Sequence, residues 1–258
     1  VARRRTAAEE LAQLPEEAME LPLADGVLLS LTKFNRILEI DPLNRTATVQ
    51  PGVRNLAISE AAAPHGLYYA PDPSSQIACS IGGNVAENAG GVHCLKYGLT
   101  VHNLLGLKFL TMDGELVTLG GKTLDAPGYD LLALLTGSEG LLGVIVEITV
   151  KLLPKPERAQ VMLAAFDNIE KAGAAVTAII GSGFIPAGLE MMDNLAIRAA
   201  EAYVHAGYPV EAVAILLCEL DGTHEEVTEG IEQVRGLLLT HGATEVRTAK
   251  DDADRLRM

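Results

Sequence analysis

Between Gly82 and Gly91 the chain sets four glycines and two asparagines in ten residues, within the run Ile81-Gly82-Gly83-Asn84-Val85-Ala86-Glu87-Asn88-Ala89-Gly90-Gly91. Without Cβ atoms, consecutive backbone N–H groups can turn toward one anion, and loops of this kind cradle phosphates. The asparagines add neutral donors and acceptors suited to a pyrophosphate, a ribityl chain or a ring edge. A dinucleotide is the guest that such a stretch predicts, and a ligand-free cluster of turns is the competing reading. A second cluster, Gly137-Ser138-Glu139-Gly140-Leu141-Leu142-Gly143, opens the strand that begins at Val144. Small residues there let amides approach a planar ring, and two such clusters in one domain point to an extended cofactor.

The spacing is not the G-x-G-x-x-G of a nicotinamide fold, and no strand leads into a helix with an acidic ribose partner downstream. A G-x-x-x-x-G-K-[ST] phosphate loop is also missing. The formal charge of −14 argues against a grip on nucleic acid, which relies on clustered Lys and Arg. No apolar run approaches the roughly 20 residues of a membrane span. Arg3-Arg4-Arg5 is followed by Thr6 to Leu14, a polar stretch rich in Ala and Glu that reads as a short helix and not as a targeting signal, so a cytoplasmic protein is expected. Cys79, Cys94 and Cys218 are far apart and read as small buried thiols, with no metal site expected. The chain opens at Val1 and stops at Met258 within a helical pattern, so both ends read as cut.

Organisation changes once along the chain. Residues 1–20 read as an N-terminal helical segment. The β-branched runs Ile37–Ile40 and Thr46–Gln50 flank Asp41-Pro42-Leu43-Asn44 and predict a hairpin. Leu56 to Ala63 predicts a helix that ends before Pro64 and Gly66. The segment from there to Gly98, dense in Pro, Ser, Gly and Asn, predicts loop. Leu107–Met112 and Leu116–Leu119 flank Asp113-Gly114 and predict a second hairpin. Over Gly143–Leu152 the alternation sets Val144, Val146, Ile148 and Val150 on one face of a strand, against Ile145, Glu147, Thr149 and Lys151. Pro154-Lys155-Pro156 is a stiff link and the expected boundary between a domain over 21–153 and another over 157–258. Beyond it, strands at Val161–Phe166, Ala187–Met191, Val213–Leu220 and Thr244–Thr248 alternate with helices at Ile169–Ser182, Asn194–His205 and Glu225–Thr240. That order is the split βαβ arrangement of a ferredoxin-like sandwich, so the fold class is α+β.

The segments Pro71–Ser75, Ile81–Gly91, Lys96-Tyr97-Gly98 and Gly137–Val144, with Gly188–Asn194 in the second domain, resemble the vanillyl-alcohol oxidase superfamily. The resemblance is specifically to its glycolate oxidase type of FAD-linked subunit, from about Leu21 onward. It implies a partial PCMH-type FAD-binding domain followed by an incomplete ferredoxin-like α/β cap. It also implies FAD as cofactor, held by Pro71, Ser74, Ile81, Gly82, Gly83, Asn84, Asn88, Gly90, Gly91, Tyr97, Gly98, Glu139, Gly143, Val144 and Ile145. The implied chemistry is oxidation of a small 2-hydroxy acid, glycolate or D-lactate, by hydride transfer to flavin. Electrons would pass to iron–sulfur and second flavin-type subunits of a complex, and any membrane association would be peripheral, through those partners. Two departures stand out. The family's Arg-Gly-Gly-Gly-Thr-like phosphate loop is absent where Met19-Glu20-Leu21-Pro22-Leu23 leads straight into the first hairpin, and the substrate-binding Arg and His-rich motif would lie beyond Met258. No catalytic residue is therefore assigned, and a catalytically inactive truncated homologue, acting only as a folded subunit, is the alternative.

Among single residues, His65, His93 and His102 read as surface or hydrogen-bonding histidines more readily than as sites of flavin attachment. Cys94 lacks a visible acid or Asn partner for nucleophilic work. Glu139 between glycines reads either as an acid near the ring or as a solvated turn residue. Asp193 reads as a helix N-cap. Glu225, Glu226, Glu229 and Glu232 read as a solvated helix face.

Overall fold

The computed structural model describes residues 26–123, 128–255 and 257–258. The helical segment expected over residues 1–20 lies outside them. Two compact units are present: one runs to Gly91 and resumes over Leu99–Pro154, and the other takes Val92–Gly98 together with Lys155–Met258.

In chain order the elements are β1 (Ile37–Asp41), β2 (Thr46–Val49), α1 (Asn55–Ala62), β3 (Leu67–Tyr68), α2 (Ile81–Glu87), α3 (Cys94–Tyr97), α4 (Thr100–Asn103), β4 (Leu104–Leu110), β5 (Leu116–Gly120), α5 (Leu131–Leu135), β6 (Val144–Lys151) and β7 (Leu153–Pro154). The second unit adds β8 (Arg158–Phe166), α6 (Ile169–Gly181), β9 (Gly188–Asp193), α7 (Asn194–Val204), β10 (Ala214–Gly222), α8 (His224–Thr240), β11 (Glu245–Thr248) and α9 (Asp252–Arg255).

Among the described residues the first unit holds a five-stranded antiparallel sheet in the order β1-β2-β6-β4-β5. Both expected hairpins form. In the first, the Asp41 carboxylate accepts from the N–H groups of Leu43 and Asn44 at 3.1 and 3.0 Å, an Asx turn, and Arg45 takes a left-handed φ of 53°. In the second, Gly114 turns at φ 80°. The last strand of this sheet in chain order, β6, inserts between the two hairpins. The sheet curls enough for Lys122, just beyond edge strand β5, to reach Glu39 and Asp41 on the opposite edge strand, at 2.8 Å each.

The alternation expected along β6 holds only in part. Ile148 and Val150 are buried as expected, but at the start of the strand Ile145 is buried while Val144 and Val146 are half-exposed. The register explains it: Lys108 pairs with Glu147 and Phe109 with Ile145, so an extra β6 residue is accommodated there. A bulge of this kind flips the parity of the strand.

The expected loop as far as Gly98 also needs correction, because it contains α2 and α3. Helix α2 forms through two glycines because Ser80 caps it, accepting from Gly83 N, and because Ile81 and Val85 are fully buried against the sheet and α1. Each such burial is worth about 1.5–3 kcal/mol, which outweighs the roughly 1 kcal/mol cost of each helical glycine.

The second unit holds, among the described residues, a four-stranded antiparallel sheet in the order β11-β8-β10-β9, a ferredoxin-like arrangement with α7 added between its halves. One sheet face, with Met162, Ala164, Phe166, Ala214, Leu216 and Cys218, packs on α6 and α8. The other, with Leu163, Ala165 and Ile215, packs on Ile197 of α7. Burial on both faces is why β8 and β10 read as continuous apolar runs. Asp193 caps α7 through Ala196 N, and Thr223 with Glu226 forms a capping box on α8, while Glu225, Glu229 and Glu232 are solvated.

Candidate functional site

In the first unit the two glycine clusters meet. Gly137 N–H donates to the Val85 carbonyl at 2.8 Å and Glu139 N–H to the Ala86 carbonyl at 2.9 Å, so the second cluster lies along the C-terminal turn of α2. Helix α2 also packs on β6, which starts at Val144 and Ile145 just after Gly143. Pro71, Ile81–Asn84, Asn88–Gly91 and Gly137–Ile145 thus share one neighbourhood. Tyr97 and Gly98 fall in the other unit.

The polar groups of α2 are already bonded within the protein. Ile81 N–H donates to Val53 O at 2.8 Å, Gly82 N–H to Pro51 O at 2.8 Å, Gly83 N–H to Ser80 Oγ at 3.3 Å and Asn84 N–H to Ser80 O at 3.0 Å. The anion cradle expected from the glycines is therefore not formed at this helix start. Asn84 is 2% exposed: its Oδ1 accepts from Asn55 Nδ2 at 2.9 Å and its Nδ2 donates to Cys79 Sγ at 3.3 Å. Asn55 also donates to the carbonyl of buried Pro71 at 3.0 Å. Asn88 takes the left-handed C-cap conformation, φ 53°, and its Oδ1 accepts from Val101 N at 3.0 Å. Both asparagines fasten the protein to itself.

Several glycines have packing reasons. A Cβ on Gly82 would stand 2.6 Å from Pro51 Cβ, one on Gly91 2.4 Å from Asp72 backbone atoms, and one on Gly143 2.7 Å from Leu110 O. Gly83 is exposed, as is Ser74 in the turn before α2, while Gly90 is half-buried. Glu139 is exposed at φ 54°. His65 and His102 are exposed; His102 Nδ1 accepts from Leu99 N at 3.0 Å.

At the N-terminal end of α2, Leu31, Thr32, Pro51, Gly52, Ser80, Gly82 and Gly83 line a cavity of about 130 Å³. Sites for whole small ligands run to roughly 300–1,000 Å³. Among the described residues the cleft is glycine-lined and free of charged side chains. Among the described residues no three of His, Cys, Asp or Glu gather to hold a metal ion, and no helix is long and apolar enough to cross a membrane.

In the second unit, α3 lies against the strands. Tyr97 Oη donates to Asp221 Oδ2 at 2.6 Å, and Lys96 Nζ lies 2.5 Å from Asp221 Oδ1. Burial pushes the thiol of Cys218 up to about 12, with the neighbouring charge of Glu219 adding to it. Asn55, Ser80 and Asp221 were not anticipated. Ser80 carried a readable signal, a capping residue three positions before Gly83. The partners of Asn55 and Asp221 are distant in sequence and left none.

Compared with known proteins, residues 17–120 match the family of FAD binding domains, and residues 155–258 match the C-terminal domain of FAD linked oxidases. The glycolate oxidase subunit GlcD of Escherichia coli (strain K12) is 69% identical over 237 residues, covering 92% of this chain and 48% of that protein. A D-lactate dehydrogenase of Anaerostipes hadrus is 36% identical over 239 residues, covering 90% of this chain and 50% of that one. The crystal structure of p-cresol methylhydroxylase with substrate bound superposes with a TM-score of 0.72 at 19% identity, over 90% of this chain and 51% of that one, a likeness of fold. The chain spans about half the length of the relatives it matches.

Proposed function

The chain belongs to the FAD-linked oxidases, with a FAD binding domain followed by the C-terminal domain of that family, and from this premise we propose that it serves in the oxidation of a small 2-hydroxy acid, glycolate or D-lactate. The observation that carries the reading is the match of both domains, in series, to glycolate oxidase subunit GlcD. A D-lactate dehydrogenase among the relatives supports a short 2-hydroxy carboxylate as the substrate class.

Bound FAD would supply the two-electron acceptor: a hydride leaves the substrate α-carbon, the hydroxyl loses its proton, and a 2-oxo acid remains. The chain's own residues would bind and orient. Ser80 offers a hydroxyl and Gly83 an exposed surface without a side chain at the α2 cleft, while Asn88–Gly91 and Gly143–Ile145 lie beside the same helix. Pro71, Ile81, Gly82 and Asn84 act from behind, by holding α2 in place. In the other unit, Tyr97 and Gly98 are the residues that the flavin reading singles out. The reduced cofactor would be relieved by an iron–sulfur or second flavin-type partner subunit, and a membrane would be approached only through such partners.

The bonded amides of α2 favour a second reading, a folded subunit that takes up no cofactor. The two separate in a visible absorption titration of the chain with FAD, followed by glycolate and D-lactate with an artificial dye acceptor. Uptake of FAD and bleaching of the flavin band by either acid is the expected result. A chain that stays colourless after FAD addition refutes the first reading and leaves the second.

A further inference from the structure

Strand β10 ends in two acids whose partners come from far away in the chain. Its face toward α6 and α8 is apolar, while the other runs from Ile215 and Leu217 into Glu219 and Asp221. Carboxylates on a packed sheet persist only when paired. Glu219 lies 3.6 Å from His93 Nε2 and 3.4 Å from Arg255 Nη1. Asp221, with its side chain only 5% exposed, uses both oxygens: Oδ1 accepts from Lys96 Nζ and Oδ2 from Tyr97 Oη, at 2.5 and 2.6 Å. Lys96 Nζ also donates to the Asp221 carbonyl at 2.7 Å and stands 5.4 Å from the Tyr97 ring centre. One residue further on, Gly98 turns the chain at φ 79°, its N–H bonded to Cys94 O at 2.9 Å.

We propose that Asp221 is a positioning residue that fixes the shape of the Lys96-Tyr97-Gly98 turn, an inference that rests on the flavin reading of Tyr97 and Gly98. A short, charge-assisted and nearly buried carboxylate contact to two adjacent side chains fixes both rotamers and hence the backbone between them. A free Lys-Tyr-Gly turn on the surface would sample many conformations, and ordering it would weaken ligand binding.

The test measures amide hydrogen exchange over residues 92–98, and FAD affinity by fluorescence titration, in the chain and in Asp221→Asn, Lys96→Met and Lys96→Arg. Asp221→Asn is expected to speed exchange over 92–98 by about tenfold with β8 and α2 unchanged, and to weaken FAD binding about tenfold. Lys96→Met should act in the same direction, and Lys96→Arg, which keeps the charged pair, should preserve both properties. Unchanged exchange in Asp221→Asn overturns the proposal, as does a released segment with unaltered FAD affinity. If Asp221→Asn loosens β8 as well, the contrast between Lys96→Met and Lys96→Arg decides on the same two readouts. A wild-type chain that binds no FAD refutes the flavin reading and this inference with it, whereas failure of the Asp221 role alone leaves the wild-type chain yellow.

Discussion

Asn84 stood out as a ligand contact because amides in glycine-rich stretches so often face one. Its side chain instead closes a buried bridge from Cys79 to Asn55 and, through Asn55, to Pro71. Asn84→Ala would leave one Asn55 amide hydrogen buried without an acceptor, at a cost of about 1–3 kcal/mol. Urea denaturation followed by circular dichroism should show that loss in the midpoint with an unchanged slope. The thiols divide by the same logic. Cys79 and Cys218 are buried, and the thiolate of Cys218 is suppressed, while Cys94 is half-exposed. Mild alkylation at pH 8 should modify Cys94 first and reach the other two only on unfolding, because the reactive form is the exposed thiolate. Peptide mapping of the labelled protein checks the order.

The elements show where local pattern suffices and where it does not. Both hairpins and the strand-helix order of the second unit were legible, because β-branched runs and turn residues act over a few positions. Helix α2 was not, since its glycines argue against helix, and its cause is the Ser80 cap together with burial of Ile81 and Val85 against distant strands. The parity of β6 was legible only in its second half, because the bulge depends on pairing with β4. The placing of 92–98 in the second unit depends on Glu219 and Asp221, more than a hundred residues away. The glycines of the helices themselves test this account. Gly236→Ala, at an exposed position of α8, meets nothing within 4 Å and should stabilise by about 0.5–1 kcal/mol. Gly82→Ala gains the same propensity, but its Cβ would meet Pro51 Cβ at 2.6 Å. Overpacking of about 1–3 kcal/mol wins there, so the net change is destabilising. Thermal melts of the two variants should move in opposite directions.

For the molecule as a whole, charge sets the response to solvent. With 34 acidic residues against 20 basic ones the chain carries −14. Self-repulsion opposes the compact state and is screened by salt, with a Debye length of about 30 Å at 0.01 M and about 8 Å at 0.15 M. Mild acidification at low salt should therefore raise the melting temperature, and added salt should erase that gain. Stronger acid acts with the opposite sign. Lys122 holds the Asp41 carboxyl well below the usual carboxylate range, Lys171 lowers Asp167, and the Thr223 cap lowers Glu226. A carboxylate lowered by folding contributes stability that is complete above its unfolded value, about 4, and is lost as pH falls through the folded one. Stability should thus peak on the mildly acidic side of neutrality and fall below about pH 4. Lys122→Met removes the partner of Asp41 and should make the acid limb shallower while lowering stability at neutral pH, where the clamp between the two edges of the first sheet is lost. Melting curves of both proteins from neutral to acid pH at low and physiological salt check both limbs, and parallel acid limbs would refute the clamp.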